Sequence, residues 1–122
     1  MLTLFENVTS ALTLVEINQV VPLLIEKISS RQHKKEAVTN KHLVAWLKSC
    51  GYDTSEVRIR MMINHIRNNN LKPCLMGSAK GYFVTNNPLI VDQQIDSLMG
   101  RINSMRNVVE SLKAQKMNLI KG

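Results

Sequence analysis

Between Asp53 and Asn86 a cationic amphipathic helix runs straight into a hairpin, and that pairing narrows the folds open to the chain. Asp53, Thr54, Ser55 and Glu56 have the spacing of a capping box, with a side-chain oxygen at the helix start and a carboxylate three residues on. Ile59, Met62, Ile63 and Ile66 then recur at the 3, 4 and 7 spacings of a helical period, which predicts a helix over residues 54–69 with one apolar face. Met61, Asn64 and Asn68 fall on the opposite side. Arg58 borders the apolar face on one edge, and Arg60 and Arg67 border it on the other. No carboxylate follows Glu56 in this stretch. One face suits a core, and the other suits contact with a polyanion.

The hairpin comes next. Leu71 to Met76 is short and apolar and contains Pro73, so an edge strand is expected there. Residues 77–81 supply the turn, with Lys80 at its tip and glycines able to take positive φ. Tyr82 to Thr85 has strong strand propensity and forms the expected return.

Upstream, residues 1–13 are read as an N-terminal arm that packs on a neighbour or orders only on binding. From Leu14 to Arg31 the pattern turns helical, with Val15, Ile17, Val20, Val21, Leu24, Ile25 and Ile28 apolar. Pro22 argues for a helix beginning near Asn18 or Gln19, where proline falls in the first turn. Arg31 to Glu36 is a basic break, either a solvated linker or a phosphate-contacting loop, and Ala37 to Thr39 has room for a very short strand. A second helix is expected from Asn40 to Cys50, capped by Thr39 or Asn40, with Leu43, Val44, Leu47 and Trp46 inward and Gly51 ending it. Two short helices joined by a tight glycine-containing turn, the second of them basic, make a helix-turn-helix pattern.

The segment from about Val20 to Thr85 resembles the winged helix-turn-helix domains carried by bacteriophage and prophage proteins. The matching residues are Ile59, Arg60, Met62, Ile63, Asn64, Ile66 and Arg67, then Pro73 and Cys74, then Lys80 to Phe83. The resemblance implies a mainly α fold with a small β-hairpin wing. It implies that Ile59, Met62, Ile63 and Ile66 are core, that Arg60 and Asn64 lie on the exposed helix face, and that Gly81 and Tyr82 close the wing. It covers about half of the chain. The domain reading is therefore an arm (1–13), a winged helix-turn-helix domain (14–87) and a long C-terminal helix (88–122).

That last helix carries its own signal. Val91, Ile95, Leu98, Ile102, Met105, Val109 and Leu112 alternate at spacings of 4 and 3, about three heptads of a coiled-coil seam. The mixture of β-branched, Leu and Met residues leaves the strand number open, and the seam has two candidate partners, a second copy or the chain's own first helix. Gly100 is the one weak helix former in it. Lys113, Lys116 and Lys121 suit the negative end of the helix dipole.

A hydrophobic fraction of 44% supports a packed core, whereas 4% aromatic residues is low for an aromatic platform that stacks single-stranded bases. The net charge of +7 and a pI near 9.7 favour nucleic acid as a partner over an anionic membrane surface. Leu2 to Ile25 is interrupted by Glu6, Asn7, Glu16, Asn18 and Gln19 and is not read as a membrane span. Cys50 and Cys74 form no CxxC motif; partly buried reduced thiols in a cytoplasm, bacterial or phage-infected, are expected, with one disulfide as the alternative. His33, His42 and His65 lack zinc-site spacing, residues 77–81 lack the Lys-Ser/Thr of a phosphate loop, and no paired carboxylates stand in an apolar setting. No catalysis, metal or cofactor is expected.

The expected function is binding of double-stranded DNA, as a phage or mobile-element regulator or replication accessory factor. Arg60 and Asn64, one turn apart, are suited to guanine and adenine edges, and Arg58, Arg67 and Lys80 to phosphates. Asn68 and Met61 share the exposed surface. Ile95, Leu98, Ile102, Met105, Val109 and Leu112 are expected to join a homodimer. The rival reading is a protein–protein adaptor acting on a host protein, with Met61 as an exposed apolar contact.

Overall fold

The computed structural model describes residues 10–122, so the expected N-terminal arm lies outside the described residues up to position 9. The chain divides into two compact units, one running to Asn86 and the other Asn87–Gly122. The first holds helices α1 (Val21–Ser29), α2 (Asn40–Ser49) and α3 (Glu56–Asn68) and an antiparallel hairpin of β1 (Leu75–Ser78) and β2 (Gly81–Val84). The second is one helix, α4 (Pro88–Lys121). The protein is thus mainly helical, with a small two-stranded sheet and a long C-terminal helix.

The first helix starts earlier than Pro22 suggests. Thr13 and Glu16 form a reciprocal capping box: the Glu16 N–H donates to Thr13 Oγ1 at 3.1 Å, and the Thr13 N–H donates to Glu16 Oε1 at 2.9 Å. Leu14 and Val15 are already helical, Glu16–Val20 form one π-helical turn, and α1 continues from it without a break. The Val21 N–H reaches back five residues to the Glu16 carbonyl. Proline lacks an N–H and its ring crowds the carbonyl four residues back, so a wider turn just ahead of Pro22 lets the helix pass through it.

Helices α2 and α3 share one ending made from different residues. Thr39 Oγ1 caps the start of α2, accepting from the His42 N–H at 3.1 Å. At its end Gly51 takes φ 95°, the Tyr52 N–H bonds the Leu47 carbonyl at 2.9 Å and the Gly51 N–H bonds that of Lys48 at 3.1 Å. In α3 the same wrap places Asn70 at φ 54°, with Leu71 donating to the Ile66 carbonyl at 2.9 Å. Asparagine tolerates the left-handed region better than other side chains, so the Asn68 to Asn70 run stops the helix. At the start of α3 Ser55, not Asp53, is the cap. Its Oγ accepts from the Arg58 N–H at 3.2 Å, and the helix begins at Glu56 rather than 54.

In the hairpin Leu75 pairs with Val84, Met76 with Phe83, Gly77 with Tyr82 and Ser78 with Gly81. The first strand is shorter than expected because Pro73 and Cys74 turn, Cys74 at φ 60°. The short strand expected at residues 37–39 is a single bridge. Val38 donates to the Tyr82 carbonyl at 3.0 Å and accepts from its N–H at 2.8 Å. Gly81 makes this approach possible: it takes φ 118°, and a Cβ there would lie 2.2 Å from the Val38 oxygen.

Leu24 and Ile28 of α1, Leu43 and Leu47 of α2, and Ile59, Met62, Ile63 and Ile66 of α3 are fully buried, with Val38 and Leu75 closing the core from the sheet side. Each such side chain contributes about 1.5–3 kcal/mol of burial. The inward face read for α2 is graded, since Val44 and Trp46 are only half-buried. Cys50 and Cys74 are exposed free thiols rather than partly buried ones; both sit in turns at the edge of this core.

Helix α4 runs for 34 residues, about 51 Å at 1.5 Å per residue. Asn87 caps it, Oδ1 accepting from the Leu89 N–H at 3.0 Å, and Pro88 holds the first position. None of its side chains is buried. Among the described residues no helix is long and apolar enough to cross a membrane.

Candidate nucleic-acid interface

The outward surface of α3 is built by subtraction. Four of its residues go to the core, and a fifth side chain, Arg58, is withdrawn from solvent as well. Its spacing assigns Arg58 to the phosphate-facing edge, but it is 9% exposed. Its Nε donates to Glu16 Oε2 at 3.0 Å and Nη2 to Glu16 Oε1, a two-pronged ion pair. The remaining N–H groups bind the carbonyls of Ser10 and Ala11, the latter at 3.2 Å. Arg58 therefore fastens the segment before the first helix to α3. Burial works to raise the Glu16 carboxyl pKa, but the Arg58 and Thr13 hydrogen bonds and the guanidinium charge outweigh it and hold the group below 4.5. The Glu16 bond likewise raises the Arg58 pKa above the ordinary guanidinium value.

Met61 also departs from its expected position. It is half-buried, with Sδ 3.6 Å from Arg58 Nη1, so it leans on the ion pair instead of standing clear in solvent. Arg60, Asn64 and Asn68 are exposed, and their spacing of four aligns them along one strip of α3. His65 is half-buried beside Asn69, whose side-chain amide donates to the His65 carbonyl at 2.8 Å.

Arg67 joins α3 to the hairpin. A Cβ added at Gly77 would meet both Arg67 Nη1 and the Tyr82 ring at 3.7 Å, ordinary contact distance, so the guanidinium lies beside β1 near the Tyr82 ring. Tyr82 is the shared neighbour. Burial raises its pKa above 10.0, and the Asn40 side-chain hydrogen bond and the charges of Arg60 and Arg67 counter that only in part. Its hydroxyl remains protonated, within electrostatic reach of both arginines. At the hairpin tip Lys80 is exposed, while its N–H is held by Ser78 Oγ at 3.2 Å.

The structure thus brings Arg60 and Arg67 of α3 near Tyr82, with Asn64 and Asn68 exposed on the same helix, and it leaves Lys80 at the end of the hairpin. Tyr82 and Asn40 are additions to the sequence reading. Their contribution comes from the Val38 bridge, which draws the start of α2 beside β2. Lys34, Lys35, Lys41 and His42 are exposed in the preceding loop and first turn of α2. Lys27 is occupied elsewhere, its Nζ 5.2 Å from the Trp46 ring centroid. Glu56 lies at the start of α3, and no other acidic residue comes after it in the helix. Among the described residues no group of three or more His, Cys, Asp or Glu side chains could hold a metal ion. Comparison with protein-family models, curated proteins and solved structures returned no match.

Proposed function

We propose that the first unit is a winged helix-turn-helix domain that binds double-stranded DNA, with α3 in the major groove and the β1–β2 hairpin as a wing along the backbone. The observation that carries this reading is the strip of Arg60, Asn64 and Asn68 beside Arg67 and Lys80. It is cationic, solvent-facing and free of carboxylates past Glu56. A helix of 13 residues fits the groove. Arg60 and Asn64 have the donor and acceptor sets that read guanine and adenine edges, while Arg67 and Lys80 supply phosphate contacts. Arg58 is left out of the contact set because its donors are already used. A second copy joined through α4 would present two such surfaces and favour a repeated or palindromic site. The role fits a regulator or replication accessory factor of a phage or mobile element.

The test is a salt titration of the full chain on a random-site DNA library, with enriched sequences read out. A motif retained near physiological salt supports the reading. In that event Arg60→Ala with Asn64→Ala lowers affinity by about 2–5 kcal/mol and relaxes the motif, whereas Lys80→Ala weakens all sequences alike and reduces the salt slope by about one. Binding that disappears with salt and leaves no motif overturns it in favour of the adaptor reading.

A further inference from the structure

Sorting the α4 seam by heptad position shows an order that its apolar residues, taken together, hide. Ile95, Ile102 and Val109 fall at position a, and Leu98, Met105, Leu112 and Leu119 fall at d. Within the a and d positions after Val91 the β-branched residues therefore fall at a and the Leu and Met residues at d, while Met99, Val108 and Ile120 stand at the flanking e and g positions. The next a position, between Leu112 and Leu119, is Lys116. From Asp92 onward positions b, c and f are polar or small but for Met117, with Ser97, Ser104 and Ser111 repeating at c. The structure makes this pattern physical. The helix is unbroken from Pro88 to Lys121, none of the seam is buried, and Ile102 is 45% and Met105 66% exposed.

We propose that α4 pairs with α4 of a second copy as a parallel, in-register, two-stranded coiled coil. β-branched residues at a with Leu at d suit the parallel two-stranded arrangement, in which a layers and d layers alternate and each kind meets itself. An antiparallel pair would set every a residue against a d residue, and the segregation would serve nothing. Lys116 narrows the strand number. In two strands its stem lines the seam and its ammonium reaches water at the edge, whereas a third strand would enclose like charges. The area is sufficient: with Val91 included, eight apolar a and d side chains at roughly 100 Å² each give about 800 Å² per chain, the share each partner contributes to a stable interface. One pair opposes the arrangement, Arg101 at g facing the partner's Arg106 at e, and both are exposed where salt screens them. Because Asn87 starts the helix, a parallel pair brings both first units out at one end. This deepens the self-association in the proposed function and does not depend on DNA binding.

The test uses the full chain with Cys50→Ser and Cys74→Ser, both native cysteines being exposed. Sedimentation equilibrium is expected to show a dimer, and Leu98→Cys is expected to form a covalent homodimer under mild oxidation. Ile102→Asp is expected to weaken the dimer by roughly 100-fold or more while helicity and the melting of the first unit persist. Arg106→Glu converts the repulsive pairs to attractive ones and is expected to tighten the dimer roughly 5-fold. A monomer at tens of micromolar, or a trimer, overturns the inference. So does failure of Leu98→Cys to cross-link with itself while a mixture of Ile95→Cys and Leu112→Cys chains does, which is the antiparallel outcome. Loss of DNA binding with the dimer intact would sink the proposed function alone, and a monomer that still selects a DNA motif would sink this inference alone.

Discussion

Helices α3 and α4 carry the same kind of signal and meet opposite fates. In α3 Ile59, Met62, Ile63 and Ile66 are at most 2% exposed, because α1, α2 and the hairpin lie within the same unit to cover them. In α4 the seam is a longer run at helical spacing, and none of it is buried. Periodicity records that a face needs cover; it does not record who provides it. The spacing itself carries a hint, since α3 has the 3, 4 and 7 pattern of a single packed face, whereas α4 keeps a strict alternation of 4 and 3 from Val91 to Leu112, as a supercoil requires.

The contrast is sharpest in the response to truncation. Ile63→Ala leaves a cavity in the core and is expected to cost about 4 kcal/mol in denaturant unfolding. Ile102→Ala, the same chemical change, is expected to leave the unfolding of the first unit unchanged and to lower only the concentration-dependent association. Equal losses in the two variants would break the distinction between a covered and an uncovered stripe. Next in size is the ion pair behind α3. Arg58→Ala strands a mostly buried carboxylate at Glu16 and is expected to cost about 3 kcal/mol, whereas Glu110→Gln, which breaks the exposed pair with Lys113 at 3.3 Å, is expected to cost a few tenths at most. The smallest effect is in pH. Glu16 is held below 4.5 in the folded chain, so the unfolded chain binds its proton first as the medium is acidified. Its share of stability is fully present above about pH 4.5 and is lost as pH falls through the folded value. Arg58→Leu is expected to flatten that part of the acid limb; an unaltered limb would mean that Glu16 owes its low pKa to the capping box alone.

How much is legible in the sequence depends on the range of each interaction. The buried faces of α2 and α3, the Gly51 ending, the hairpin and its lysine tip are local, and composition with spacing reveals them. Arg58 is misplaced by spacing because its partner stands 42 residues earlier. A trace of that arrangement is present, since Thr13 and Glu16 have capping-box spacing, but Asp53 and Glu56 have it too, and there the serine between them takes the role. The grouping of Tyr82 with Arg60 and Arg67 is equally out of reach, because it arises from the hairpin pairing and the Val38 bridge, which join residues far apart in the chain. Pro22 misleads for a different reason: a π turn has no residue signature, and it removes the conflict that the proline rule assumes.

That π turn also acts as a phase adjuster. One helical residue advances the direction of the next side chain by roughly 100°, so the wide turn over Glu16–Val20 sets the angle between the side chains before it and those after it. On the far side Val21, Leu24 and Ile28 must face the core; on the near side the Glu16 carboxylate must face Arg58. Winding the same five residues as ordinary α-helix would keep every apolar side chain of α1 in place, yet swing Glu16 about a quarter of the way around the axis, whereas deleting one residue from the turn would restore ordinary winding and leave Glu16 near its present direction. The winding of that segment is therefore what aims Glu16 at Arg58 while α1 faces the core.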